Sequence, residues 1–223
     1  MADVTADANH LPGSVEVVDD VPAAFARLLA REAPRSVALS GGDTARECYE
    51  AVRATGVSWA GVDVYFGDER FVPVGDPDSN EGMVRRALLD AAGPRAIHSM
   101  YQPVDIEEAA RRYDELMRAA PPIDVVHLGL GPDGHTASLF PGSPSLDETE
   151  RLVVATGDDE HPQPRLTFTF PAIARARLVV VTVAGEEKRA AIDRIRAGED
   201  LPGSRIRADR VLWLGDRAAL GAQ

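Results

Sequence analysis

The stretch that most narrows the fold is Ile123 to Leu130, IDVVHLGL, an apolar, β-branched run that stops abruptly at glycines. A strand with one wet face alternates apolar and polar residues. A run without that alternation is covered on both faces, the condition of a parallel sheet packed between helices. Shorter runs of the same kind recur at Val15 to Val18, Ser36 to Leu39, Val62 to Phe66, Leu178 to Val183 and Val211 to Leu214, and RLVVATG and RLTFTF are also strand-like.

Helical patterns fill the intervals. Asp20 with Pro22 reads as the cap and first turn of a helix through Ala33, and others run from about Ala45 to Ala54, from Ser79 or Asn80 to about Ala91, and from Asp105 to about Ala119. A short helix near Ile173, one opened by Gly185 and running to about Ala197, and a small C-terminal helix complete the series. Alternation without an internal repeat predicts an α/β fold: a three-layer α/β/α arrangement with a mostly parallel, Rossmann-like sheet. All 223 residues read as one domain, with residues 1–13 as a flexible start.

Composition removes several function classes. A formal net charge of −12 argues against nucleic acid, which is bound through clustered Lys and Arg. No apolar run approaches the ~18 residues of a membrane span. The single Cys48 cannot form an internal disulfide, and the start has neither a basic nor an apolar leader region, so cytoplasmic residence is expected. With one Cys and no helix-spaced His pair, no metal site of recognisable spacing is present.

The chemistry is expected where the central run ends. Gly129, Gly131 and Gly134 let the backbone turn and approach a ligand, and Asp133 and His135 are presented at the carboxyl end of a strand, where open α/β sheets gather ligands. A solvent-reachable His titrates near neutrality and can take a proton from water, with the carboxylate two residues away holding its ring. The same residues match G-x-G-x-x-G, but Pro141, Gly142 and Pro144 cut short the long helix that a dinucleotide site requires, so the later Asp158 and Asp159 gain no ribose role.

Three further segments bear on a ligand. Ser40-Gly41-Gly42-Asp43-Thr44 joins a strand to a helix N-terminus, an arrangement that binds an anion through free N–H groups and the helix dipole; an ordinary turn capped by Thr44 or Asp43 is the plain alternative. Asp68 and Arg70 follow another strand and can reach a ligand there, while Glu69 is expected to pair with a neighbouring arginine. Lys188, the only lysine in the chain, falls in a first helical turn, where a cation opposes the dipole unless an anion binds. Ser58 sits in a near match to a nucleophile elbow but precedes its strand and is set aside. His127, Cys48 and Tyr49 read as core, and His10, His98 and His161 lie in irregular context.

Taken in order, LSGGDT, FGDERFVPVGDPDSN, LGLGPDGHTASLFPGSP, PRLTFTF and GEEK resemble the 6-phosphogluconolactonase family of the pentose phosphate pathway. DGHTASLFPGSP is the most specific segment, since the related glucosamine-6-phosphate deaminases share DGH but continue with an Asn-Glu-Pro segment absent here. The resemblance implies the fold shared with those deaminases. It also implies hydrolysis of 6-phospho-D-glucono-1,5-lactone without metal or organic cofactor, by a monomer or weak homo-oligomer whose partner is the small sugar phosphate lactone. By residue, it implies a phosphate-side loop of Ser40, Gly41, Gly42 and Thr44, cationic contacts from Arg70 and Lys188, and a catalytic loop containing Asp133 and His135; Gly131 and Asp68 join the substrate contacts on the reading of the residues above. One departure stands out: Asp43, Thr44 and Ala45 occupy positions where the family has a small residue followed by Thr-Pro, so either Asp43 turns away as a helix cap or the phosphate contacts are shifted. The rival readings are a deaminase or isomerase on the same fold and a non-catalytic sugar-phosphate sensor that could dispense with His135.

Overall fold

The computed structural model describes residues 11–157 and 163–221, so His10, Asp158, Asp159 and His161 lie outside the described residues. In chain order the elements are β1 (Ser14–Val17), α1 (Val21–Glu32), β2 (Ser36–Leu39), α2 (Asp43–Ala54), β3 (Asp63–Phe66), β4 (Asp68–Arg70), α3 (Asn80–Val84), α4 (Asp90–Ala92), β5 (Ala96–Ile97) and α5 (Ile106–Ala119). They continue as β6 (Val125–Gly129), β7 (Val153–Thr156), β8 (Arg165–Phe168), α6 (Phe170–Ala174), β9 (Leu178–Val183), α7 (Arg189–Arg196), β10 (Val211–Gly215) and α8 (Arg217–Leu220).

Seven strands form one parallel sheet in the order β1-β10-β9-β6-β2-β3-β5, flanked by helices, the three-layer arrangement expected from the alternation. From β2 the chain adds β3 and β5 on one side, then crosses back to lay β6, β9 and β10 on the other. A reversal of this kind opens a crevice at the carboxyl ends of the two strands that flank it. Here those strands are β2 and β6, whose ends carry the Ser40–Thr44 turn and the Gly129–His135 loop.

Burial explains the missing alternation in the central strands. All six residues of β9 are buried, as are Val125, Val126, His127 and Leu128 of β6. The flanking helices are closed by local chemistry. Asp20 accepts the Ala23 N–H at 2.9 Å to cap α1, and Asp105 does the same for Glu108 at 2.9 Å in α5. One face of α5 buries Ala109, Ala110, Tyr113 and Met117, while Arg111 pairs with Glu108 and Glu115 on the other.

Four expectations need correction. Asp68 and Arg70, expected only to follow a strand, belong to one of their own, β4, which pairs antiparallel with β8; β8 pairs in turn with β7, so RLVVATG and RLTFTF build a separate three-stranded sheet. The helix from Asn80 is interrupted by a π-helical turn, Arg85–Leu89. The GEEK segment opens with a 3₁₀ turn, Glu186–Lys188, and α7 begins only at Arg189. Residues 11–13, expected in a flexible start, are held in place: Leu11 is buried in the core, and the Trp213 indole N–H donates to the Pro12 carbonyl at 2.9 Å.

Candidate active site

A cleft of ≈ 240 Å³ opens at the switch between β2 and β6. Gly41, Gly42 and Thr44 line one wall of it. The N-cap of α2 is Gly42, and no side chain caps that helix. The first N–H groups of a helix have no partner within it, so this terminus offers donors and the positive end of a 12-residue helix to the cleft. Asp43 is not the cap: its side chain is 94% exposed and leans toward Arg46 of its own helix at 3.6 Å. Ser40 lies beneath the cleft, with 4% exposure and its hydroxyl donating to the His127 carbonyl at 2.7 Å. The sequence placed that hydroxyl among the ligand donors; the fold uses it to fasten the turn to β6.

Across from this wall stands His135. Its Nδ1 lies 2.6 Å from Asp133 Oδ1, and its backbone N–H donates to the same oxygen at 3.1 Å. Burial raises the Asp133 carboxyl, but the His135 backbone N–H and ring outweigh it, and the net direction is downward. An ionised Asp133 keeps a proton on Nδ1, which leaves the lone pair on Nε2. A Cβ at Gly131 would run into the His135 ring, so glycine is required there for the ring to pack over the loop. Thr136 Oγ1 donates to the Gly129 carbonyl at 2.9 Å, and Ala137 takes a left-handed conformation with φ 50° at the cleft wall. No long helix follows Gly134: the chain turns and forms only a 3₁₀ segment, Pro144–Asp147, which removes the dinucleotide pattern.

The third wall comes from the small sheet. Asp68 and Arg70 line the cleft from β4, and Ser138 Oγ donates to Asp68 Oδ2 at 2.8 Å, tying the His135 loop to that sheet. Arg70 donates to the Asp78 carbonyl at 2.7 Å, while its buried Nε has no hydrogen-bond partner among the described residues. Among the described residues, Glu69 pairs with no arginine side chain. Its carboxylate, 1% exposed, accepts from the N–H groups of Arg70, Asn80 and Glu81 and from the Ser79 hydroxyl, at 2.7 to 3.0 Å. Burial nevertheless pushes its carboxyl up to about 7.

Lys188 reaches the cleft from the turn after β9. Eight of the ten expected site residues therefore line one cavity, with Asp133 supporting His135 and Ser40 below the floor. Among the lining residues not picked out as ligand contacts from the sequence, Arg165, Asn80 and Thr182 bring polar side chains. Arg165 faces Arg70 across the β4/β8 pair and lies over the Phe140 ring at 5.5 Å, Asn80 packs against Gly41, and Thr182 lies within the buried run of β9. Arg70, Arg165 and Lys188 concentrate positive charge in a protein of net charge −12, as an anionic ligand requires. Among the described residues, no three of His, Cys, Asp and Glu gather as a metal site, and no helix is long and apolar enough to cross a membrane.

The family model of glucosamine-6-phosphate isomerases/6-phosphogluconolactonase matches residues 14–213. The chain is similar to a 6-phosphogluconolactonase of Synechocystis sp., with 40% identity over 209 residues covering 86% of each chain. Among solved structures it is similar to 6-phosphogluconolactonase from Thermotoga maritima, with TM-score 0.82 and 26% identity over 91% of this chain and 99% of the other. A monomeric glucosamine-6-phosphate deaminase, at TM-score 0.79 and 20% identity over 92% of this chain and 98% of the other, shares the fold.

Proposed function

The chain belongs to the glucosamine-6-phosphate isomerase/6-phosphogluconolactonase family, and from that premise we propose that it hydrolyses 6-phospho-D-glucono-1,5-lactone to 6-phosphogluconate, with His135 as general base. The observation that carries this reading is the pairing of Asp133 with His135 at 2.6 Å in a cleft whose other walls hold an uncapped helix N-terminus and three cations.

The phosphate sits against the N-terminus of α2, where backbone N–H groups and the dipole meet the side chains of Lys188 and Arg165. That placement brings the lactone carbonyl to the His135 side of the cleft. A δ-lactone is an activated ester, so water can attack it without a covalent enzyme nucleophile. His135 Nε2 takes a proton from the water as its oxygen bonds to the carbonyl carbon. Arg70 and N–H groups of the glycine loop stabilise the oxyanion. The bond from that carbon to the ring oxygen then breaks, and the imidazolium returns its proton to the departing oxygen. Asp133 keeps its charge throughout and steadies the imidazolium.

The test is hydrolysis of freshly generated lactone, corrected for its spontaneous opening, beside an assay for deamination of glucosamine 6-phosphate. Lactone opening well above the spontaneous rate, with no ammonia released from the amino sugar, is the expected result. A lactone rate equal to the spontaneous one would overturn the reading.

A further inference from the structure

A polar layer that hydrolysis does not use lies buried beneath the cleft. His127 is 0% exposed in the middle of β6, with the Phe25 ring packed 4.2 Å from its own. Burial pushes its imidazole down to about 3, so the ring is neutral, with one N–H and one lone pair to place. Nδ1 lies 2.8 Å from the Tyr49 hydroxyl and Nε2 lies 2.8 Å from Thr182 Oγ1. The Tyr49 hydroxyl also accepts the Ser40 N–H at 2.9 Å and faces the Ser40 carbonyl at 3.1 Å. Thr182 lines the cleft, and its hydroxyl has no other hydrogen-bond partner among the described residues. An unbroken chain thus joins the turn before α2 to the cleft wall.

Counting protons gives this chain two states. Burial drives the Tyr49 hydroxyl well above its ordinary range, so it keeps its single proton. If that proton goes to His127 Nδ1, then Nε2–H donates to Thr182 Oγ1, and the Thr182 proton is available to the cleft. If it goes instead to the Ser40 carbonyl, Nδ1–H donates to Tyr49, Nε2 takes the Thr182 proton, and Thr182 offers only a lone pair. The Tyr49–Nδ1 contact is a hydrogen bond in either state, whereas the 3.1 Å approach of the Tyr49 hydroxyl to the Ser40 carbonyl is one only in the second, so the geometry favours the second state.

We infer that Thr182 binds substrate as a hydrogen-bond acceptor, and that His127 and Tyr49 are positioning residues that set this polarity and couple it to the Ser40 turn. The inference rests on the sugar phosphate reading, because a sugar lactone supplies the hydroxyl donors that such an acceptor selects. Ser40 then acts on the ligand through its backbone and this chain.

Long-range proton–nitrogen spectra of the ¹⁵N-labelled protein, with the stable product 6-phosphogluconate as probe, read the tautomer directly. His127 is expected as a single neutral tautomer protonated at Nδ1, with its signals moving when the probe binds and staying still in Thr182→Val. In lactone kinetics, Thr182→Val should raise KM about three- to tenfold with little change in kcat. Tyr49→Phe should act in the same direction, and the double variant should fall within about twofold of the worse single one, since residues on one chain are not independent. Multiplying effects in the double variant, a wild-type KM in Thr182→Val, or His127 protonated at Nε2 would overturn the inference. Should Tyr49→Phe fail to fold, the spectra of wild type and Thr182→Val decide alone. A wild-type protein that binds the probe through His127 but opens no lactone would sink the hydrolytic reading and leave the relay standing.

Discussion

Arg70 and Arg165 stand directly opposite each other across the antiparallel pair β4/β8, and both line the cleft. Like charges facing each other on a sheet cost roughly 0.2–1 kcal/mol, a cost that a bound anion reverses. Arg165 also lies over the Phe140 ring, a contact of similar size. Arg165→Gln should therefore leave the unfolding free energy within about 1 kcal/mol of wild type while raising KM for the lactone roughly ten- to a hundredfold. Denaturant unfolding and initial rates measure the two; a stable variant with unchanged KM would remove Arg165 from the ligand.

The Asp133–His135 pair is tested by a change of one atom. In Asp133→Asn the amide can donate to Nδ1, moving the ring proton to Nε2 and taking away the base. We expect kcat to fall about 10²- to 10⁴-fold with KM nearly constant, and His135→Asn to fall within the same range. If both variants keep near wild-type kcat, another group accepts the proton, and Asp68, held by Ser138 in the same cleft, is the next to replace.

Lys188 is a point charge on a flexible stem. Lys188→Ala should chiefly raise KM, and Lys188→Arg should restore only part, because a planar fork does not fill a site shaped for an ammonium. Equal kinetics for wild type and Lys188→Ala would return this lysine to the solvated surface.

Glu69 carries a pH signature. Burial raises its folded carboxyl from 4.5 to about 7, so the folded state holds this proton more tightly than the unfolded chain. Its contribution is fully present below 4.5 and is lost as pH rises through 7. Glu69→Gln cannot titrate, although its amide places hydrogens against N–H donors and lowers stability overall. The wild-type advantage over Glu69→Gln should therefore shrink across that window, by something on the order of 3 kcal/mol. A difference independent of pH, measured by urea unfolding, would show that Glu69 titrates alike in both states.

Much of this molecule was legible in advance because its signals are local. Runs such as Leu178 to Val183 announce strands covered on both faces, Asp20 and Asp105 announce caps, and Asp133 and His135 lie two residues apart on one loop, so their pairing needs no long-range information. What escaped depends on register. Nothing near Arg165 indicates that it will face Arg70, since 95 residues of chain separate them and only the β4/β8 pairing joins them. Glu69 was matched to arginines by charge. Its real partners are backbone N–H groups at the start of α3, which exist only once that helix docks. Ser40 reads as a ligand donor in any glycine turn; its commitment to the His127 carbonyl follows from β2 lying beside β6.

Cys48 offers a test of the core. It is 0% exposed on α2, and burial pushes its thiol up to about 12. A disulfide reagent near pH 8 should leave it unmodified until denaturant is added. Rapid labelling of the native protein would mean that α2 opens on the timescale of the reaction.

The cleft residues are divided between two hydrogen-bonded frames. The α2 terminus, His135 and Lys188 stand on the parallel sheet, while Asp68, Arg70 and Arg165 stand on the three-stranded sheet, which joins the larger one through Gly67, whose carbonyl accepts the Phe168 N–H at 2.7 Å, and through Ser138. A ligand held by both frames is a cross-brace between them. Occupancy would slow amide exchange throughout β4, β7 and β8, well beyond the residues touched, because prising the small sheet away would first require the ligand to leave.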